Sequence, residues 1–263
     1  MEFVDIHGHY AWGIDDGIRD RDEAIKALKV AKDNGITEIC ATPHVVSGTT
    51  SKEDIAMFLE RIDELRTIAR DMYGMTVHQG GEVFLNHDCI RQVKDEIFIP
   101  YDNTKYVLCE FDVRKQLPED EDEVEDYLYN IKVRGYTPVV AHVERYFKDY
   151  LDLDRLEEWF DEGYVLQVNA PSLLGIQGST IKKNAYDIID AGLAHFIASD
   201  SHRAEGHRCP TTMMQAYNAL SKDYDRAVIQ TLMHDNPLCI LNGEPVADIP
   251  EKKRGFFAKL WRR

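Results

Sequence analysis

The chain has 263 residues, 47 of them Asp or Glu and 31 Lys or Arg, for a formal charge of −16. That length makes one large domain or two small ones and is enough to bury a core. The acidic balance argues against nonspecific affinity for nucleic acid, which depends on cationic side chains. It leaves a small phosphorylated substrate open, because metal ions and a few local arginines reverse the field inside a cleft.

Strand and helix alternate along the chain. Residues 3–7 read as a short buried strand, Phe-Val-Asp-Ile-His. Asp20 and Glu23 have capping-box spacing for a helix over 22–34, with Gly35 as its stop. Thr37 to Thr42 reads as a second strand, ending in Pro43-His44. Ser51 caps a long helix whose Ile55, Phe58, Ile62, Leu65 and Met72 keep helical spacing. A third strand covers 76–83 and ends near Glu82; a fourth covers 106–110 and a fifth 138–142. Between the last two, Val124, Leu128 and Ile131 mark a helix stopped by Gly135, and the acidic run Glu119 to Asp126 reads as its solvated start. Two further strands, 164–169 and 195–200, follow helices that end at Gly163 and Gly192, and helices fill 212–234. Seven short apolar strands with helices between them imply a parallel sheet covered by helices. A closed or distorted barrel accommodates this best, with the active site at the C-terminal strand ends. With no linker or internal repeat, residues 1–250 read as one domain.

Polar residues gather at those strand ends. His7 and His9, two apart, point to one side of the first strand. Asp16 follows in the next loop, then His44, Glu82, Glu110, His142, Asp200 and His202: five imidazoles and four carboxylates. Most close an apolar stretch, as in Glu-Ile-Cys-Ala-Thr-Pro-His44, Tyr-Val-Leu-Cys-Glu110 and Phe-Ile-Ala-Ser-Asp200-Ser-His202. A carboxylate at the buried end of a strand is costly unless paired or bound to metal, and paired imidazoles suit Mn, Fe or Zn. Nine such residues at one end of a sheet point to a metal site. His78, His87, His195, His207 and His234 lack this pattern and read as ordinary histidines, with His207 nearest a substrate mouth.

The segments Asp5-Ile6-His7-Gly8-His9, Asp15-Asp16-Gly17, Ala41-Thr42-Pro43-His44, Gly81-Glu82, Cys109-Glu110-Phe111, Pro138 to Tyr146 and Ala198 to His202 resemble the polymerase and histidinol phosphatase (PHP) family. Within it, His142-Val-Glu-Arg145-Tyr146 resembles the branch of manganese-dependent protein-tyrosine phosphatases from bacterial capsule and exopolysaccharide operons. The resemblance implies a seven-stranded, distorted TIM-like barrel and up to three divalent ions, Mn²⁺ first, with Fe, Zn or Co as alternatives. It implies that His7, His9, Glu110 and Asp200 hold one ion. Glu110 bridges to a second, also held by Glu82 and His142, and Asp16, His44 and His202 hold the third.

On that reading, clustered ions lower the pKa of a water and supply hydroxide for in-line attack on phosphorus. Arg145 and Arg208 grip the phosphoryl group. Asp5 either orients a ligand histidine or caps a turn. Cysteine phosphatases need Cys-x5-Arg. The five cysteines, at 40, 89, 109, 209 and 239, offer none, so no covalent phosphoenzyme is expected. Their odd number and the absence of CxxC imply a reducing compartment. No signal peptide or membrane span is visible, so a cytoplasmic location is expected.

The substrate implied by resemblance is phosphotyrosine on an autophosphorylating bacterial tyrosine kinase, in control of capsule or exopolysaccharide synthesis. Rival readings are a small-molecule phosphatase such as histidinol-phosphate phosphatase, a nuclease, and a kinase-binding regulatory partner with incidental catalysis. The acidic charge weighs against a nuclease and against a nucleic-acid partner. Residues 251–263 carry six cations and one anion, with Phe256, Phe257, Leu260 and Trp261 interspersed. They form a basic aromatic tail that either folds back on the acidic body or touches an anionic membrane peripherally.

Overall fold

The computed structural model describes residues 1–117 and 122–250. The basic tail and part of the acidic run Glu119 to Asp126 lie outside the described residues. Among the described residues, parallel strands alternate with helices, as the hydrophobic pattern implies. The strands are β1 (Phe3–Gly8), β2 (Ile36–Ala41), β3 (His44–Val46), β4 (Thr76–Gln79), β5 (Glu82–Phe84), β6 (Tyr106–Glu110), β7 (Thr137–Val140), β8 (Val165–Asn169) and β9 (Phe196–Ala198).

They form two open sheets rather than a closed seven-stranded barrel. One has the order β1-β2-β4 and the other β3-β5-β6-β7-β8-β9, with every pairing parallel. The sheets meet at a single bridge, Gly8 to Ser201. The difference from the seven expected strands has a local cause. The third, read over 76–83, is cut into β4 and β5 at Gly80-Gly81, and the second, read as ending at Thr42, is followed beyond Pro43 by a short strand, β3, that was not expected. Pro43 has no N–H to continue a ladder. Around it the chain switches partners: Thr42 N donates to Gly8 O (2.9 Å), Gly80 N to Ala41 O (3.0 Å) and Glu82 N to Pro43 O (3.0 Å). The first halves join the sheet of β1, with β2 beside β1 and β4 beyond it, and the second halves join the sheet of β6, with β5 beside β6 and β3 beyond it.

Both sheet faces are buried. Val4 and Ile6 of β1, Cys40 of β2, Leu108 of β6, Val139 of β7, Val165 of β8 and Phe196 and Ala198 of β9 form an inner cluster. The alternate residues Phe3, Ile39, Val107, Val140, Leu166, Val168 and Ile197 join a larger cluster with the helices. This period-two partition is what a strand covered on both sides requires.

The helices begin close to where capping chemistry places them. Asp20 accepts from Glu23 N at the start of Arg21–Asp33. Glu23 reaches back to Arg19 N (3.1 Å), one residue earlier than a capping box would have it. Ser51 and Asp54 make the full reciprocal box ahead of Lys52–Tyr73, which ends on Gly74 in the left-handed region. The stretch expected to be helical over 212–234 resolves into Thr211–Leu220, Arg226–Gln230, a π turn at Thr231–Asp235 and a final helix, Asn236–Asn242. The cysteines are free. Cys40, Cys89, Cys109 and Cys209 are buried, while Cys239 is partly so.

The double-glycine step carries a testable consequence. A Cβ on Gly81 would stand 2.9 Å from Val45 Cγ2 and 3.3 Å from Ile99 Cβ. Gly81→Ala should therefore cost about 1–3 kcal/mol by overpacking, lowering Tm by roughly 2–4 °C per kcal/mol. A thermal melt of the variant that overlays the parent would show that the step is not tightly packed.

Candidate metal centre

The two sheets deliver the nine predicted residues to one place. His7 sits near the end of β1, where the β1–β2 register shifts between Asp5 and Gly8, and His9 follows. His44 and Glu82 open β3 and β5 and face each other across that ladder. Glu110 closes β6. His142 and Asp200 follow β7 and β9 in left-handed backbone conformations, with φ of 33° and 50°. Such conformations are costly for residues with a Cβ and cluster at functional sites. They also explain why these two strands stop at Val140 and Ala198, short of the ends read from the sequence.

Glu82 is at the centre. Its Oε1 lies 3.2 Å from His7 Nε2 and 3.2 Å from His142 Nε2. Its Oε2 lies 3.3 Å from His9 Nε2 and 3.1 Å from His44 Nδ1. Glu110 reaches two imidazoles, His44 Nδ1 at 3.1 Å and His142 Nε2 at 3.5 Å. Asp200 Oδ1 faces His7 Nε2 (3.7 Å), His9 Nε2 (3.6 Å) and His202 Nδ1 (3.4 Å). Asp16, with its side chain 68% exposed, faces His44 Nε2 and His202 Nε2 at 3.4 Å each and marks the mouth.

The grouping differs from the one expected. Among the described residues, ligand atoms that lie mutually close fall into four sets: His9, Asp16, His44 and His202; His7, Glu82 and His142; His7, His9 and Asp200; and His44, Glu82 and Glu110. Glu110 stands apart from His7, His9 and Asp200. The carboxylate shared between sets is Glu82. It comes from the first residue of β5, and the cut at Gly80-Gly81 swings it inward.

These residues fit divalent cations. His7 Nε2, His9 Nε2, His44 Nδ1 and His202 Nε2 are buried and make no hydrogen bond, although carboxylate oxygens stand 3.1–3.7 Å away. Buried polar atoms are normally satisfied. Nitrogen lone pairs and carboxylate oxygens turned toward shared points, without alignment on one another, form a donor set for a first-row metal. The opposite nitrogens are engaged: His7 Nδ1 by Gln167 Oε1 (2.9 Å), His9 Nδ1 by Asp15 Oδ2 (2.7 Å) and His202 Nδ1 by Asp200 O (3.0 Å).

Electrostatics points the same way. Burial opposes charge on Glu82, but His7, His142 and His44 hold its carboxyl well below the usual range. Burial also opposes charge on His7, yet Glu82 and Asp200 lift its pKa to about 9. Burial and neighbouring His9 push His202 down to about 4. Without ions, protons on imidazoles supply the positive charge the buried carboxylates require.

Both predicted arginines flank the cage. Arg208 Nη2 donates to Asp200 Oδ1 and Oδ2 (2.7 and 2.8 Å), and Arg145 Nη1 lies 3.5 Å from Asp200 Oδ2. Asp5 touches no histidine. Its oxygens accept from Ser199 N, Ser199 Oγ and Tyr10 OH, so it pins the turn before Asp200. The role of orienting a ligand histidine falls to Asp15 and Gln167, with Asn169 linking Gln167 to Asp200; sequence reasoning missed all three. Asp15 was visible as half of an acidic pair, and the two amides as polar residues alternating in the apolar run Val165-Leu-Gln-Val-Asn169. The other histidines lie elsewhere. His78 bridges Glu38 and Asp102, His195 stacks on Phe160, and His87, His207 and His234 lie outside the cage.

Comparison with known proteins follows this geometry. Residues 3–242 match the family described as capsular polysaccharide synthesis, CpsB/CapC. CapC of Staphylococcus aureus is 30% identical over 98% of this chain and 100% of its own length. The tyrosine-protein phosphatase CpsB of Streptococcus pneumoniae is 29% identical over 90% of this chain and 98% of its own. A solved structure from work on YwqE of Bacillus subtilis and CpsB of S. pneumoniae, described as metal-dependent tyrosine phosphatases, superimposes with a TM-score of 0.80 at 26% identity, over 95% of this chain and 100% of that one. The chain belongs to the CpsB/CapC family of capsular polysaccharide synthesis proteins.

Proposed function

We propose that this protein is a metal-dependent protein-tyrosine phosphatase. The observation that carries the reading is the cage of nine side chains, buried except at the Asp16 and His44 mouth, with unpartnered imidazole nitrogens and two flanking arginines. Near-full-length relatives named as tyrosine-protein phosphatases support it. His7, His9, Asp16, His44, Glu82, Glu110, His142, Asp200 and His202 hold the ions, with Mn²⁺ as the proposed metal. When bound, such ions lower the pKa of water and draw charge from a phosphoryl group.

The protein's own groups do the rest. Arg145 and Arg208 leave Asp200 in part to bind the phosphoryl oxygens in fork geometry, and Asp16 stands at the entrance. A phenolate, with a pKa of about 10, leaves without strong general-acid help. Cys40, Cys89 and Cys109 are unsuited to act as nucleophiles: burial raises the Cys40 and Cys109 thiols well above the usual value and Cys89 to about 12, which keeps them protonated and unreactive.

We also read the two open sheets as a distorted barrel of seven staves in one domain over residues 1–250, since β2–β3 and β4–β5 are each continuous in chain. The proposed substrate is phosphotyrosine on an autophosphorylating kinase of the capsule or exopolysaccharide system, in the cytoplasm. Among the described residues, no helix is long and apolar enough to cross a membrane. Peripheral membrane contact stays one of two readings of residues 251–263, the other being a tail folded back on the acidic body; both lie outside the described residues.

Three outcomes follow. Chelation should abolish hydrolysis of a phosphotyrosine peptide, Mn²⁺ should restore it, and iodoacetamide should leave it intact; full turnover in a metal-stripped sample would sink the reading. Offered phosphotyrosine peptide, histidinol phosphate and single-stranded DNA side by side with Mn²⁺, the protein should favour the peptide, and preference for histidinol phosphate would move it to the small-molecule class. Arg145→Ala should keep its ion content and lose about 10²-fold in kcat/KM, whereas Glu82→Gln should lose ions and turnover together. Elemental analysis showing Glu82→Gln fully loaded would remove Glu82 from the centre.

A further inference from the structure

We propose that Gln167 and Asn169 are positioning residues, a two-amide relay that selects the nitrogen His7 offers to the ions and ties it to Asp200. The inference rests on the metal reading above. Both side chains are fully buried, two apart on β8 and directly beyond Val165 of the inner cluster. A buried primary amide is costly unless its donors and acceptor are met, and here they are met in one chain of contacts.

The direction of that chain follows from its ends. Asn169 Nδ2 lies 2.8 Å from Asp200 Oδ2. Asp200, ion-paired to Arg208, is a carboxylate and only accepts. Asn169 therefore gives its NH₂ to Asp200 and turns Oδ1 to Gln167, whose Nε2 donates across 2.6 Å. Gln167 Oε1 then faces the other way, 3.0 Å from the backbone N of His142 and 2.9 Å from His7 Nδ1. A backbone N–H only donates, so the far end demands the same amide orientation. Two independent termini agree, so the hydrogen-bond network fixes both amide orientations. Because Oε1 only accepts, His7 carries its proton on Nδ1. Nε2, buried and without a hydrogen bond, is left to face Glu82 and Asp200.

His9 and His202 receive the same tautomer from Asp15 and from a backbone carbonyl. His7 differs in that its orienting group is a side-chain amide, itself held through Asn169 by the carboxylate of another candidate ligand, Asp200. Through Gln167 the relay also holds the His142 backbone, so three ligands from three strands share one pair of amides. Outer partners of this kind typically contribute 10–100-fold to metal affinity.

The test begins with the unaltered full-length protein. In ¹⁵N-histidine-labelled protein loaded with Zn²⁺ as a diamagnetic probe, with His7 assigned through His7→Asn, the ring proton should sit on Nδ1. A proton on Nε2 would overturn the relay without any Gln167 variant. Titration with Mn²⁺ should then show Gln167→Met binding roughly 10–100-fold more weakly than the parent. Gln167→Glu, whose protonated carboxyl reproduces both donor and acceptor, should lie nearer the parent than Gln167→Met. Equal Mn²⁺ affinity in Gln167→Met and parent, or equal loss in the two variants, would contradict the relay while leaving the metal reading intact. A parent protein that binds neither Mn²⁺ nor Zn²⁺ would overturn the metal reading and the relay with it.

Discussion

A carboxylate with almost no exposure, Glu82, sits among four imidazole nitrogens at 3.1–3.3 Å, and the rest of the site is arranged around it. Taking a carboxylate out of water costs several kcal/mol even after the protein relaxes. Glu110 and Asp200 add two more buried anions within the same cage. Positive charge has to be present, and the site accepts it in two forms: protons on the imidazoles, as the raised pKa of His7 shows, or divalent ions. The two compete for the same nitrogens. The site is therefore a cation cage whose occupant is set by conditions.

The fold serves that cage by ending its strands abruptly. Pro43 and the Gly80-Gly81 step break two strands at one level and send their continuations to the other sheet, which turns His44 and Glu82 inward as a facing pair. Left-handed turns at His142 and Asp200 end two more. Asp5 braces the second of these turns through Ser199. Below, the apolar inner cluster of Val4, Ile6, Leu108, Val139, Val165 and Phe196 closes the floor. Water then reaches the cage from the Asp16 side, where Arg208 also stands partly exposed.

Much of this was readable from sequence because strand ends carry a strong signal. An apolar run closed by His, Asp or Glu is rare enough that nine polar residues stood out, and the structure gathers the same nine. Helix starts at Asp20 and Ser51 were readable from local capping chemistry. What stayed hidden depends on partners far away in sequence. The exchange between sheets at Pro43 and Gly81 is decided by which neighbour each half-strand meets, so the strand over 76–83 was read as unbroken and β3 was not read as a strand. The central role of Glu82 in place of Glu110 follows from the same break. The part played by Asp5 was left open between a ligand histidine and a turn because its partner, Ser199, lies 194 residues on. Gln167 and Asn169 look like ordinary strand amides until Asp200 and His142 are brought beside them.

The most direct measurement is anomalous X-ray diffraction at the manganese edge from crystals of the protein grown with Mn²⁺. The cage predicts anomalous peaks among the nine side chains, with at least one in contact with Glu82. Peaks confined to surface carboxylates, with the cage imidazoles unchanged and unliganded, would contradict it.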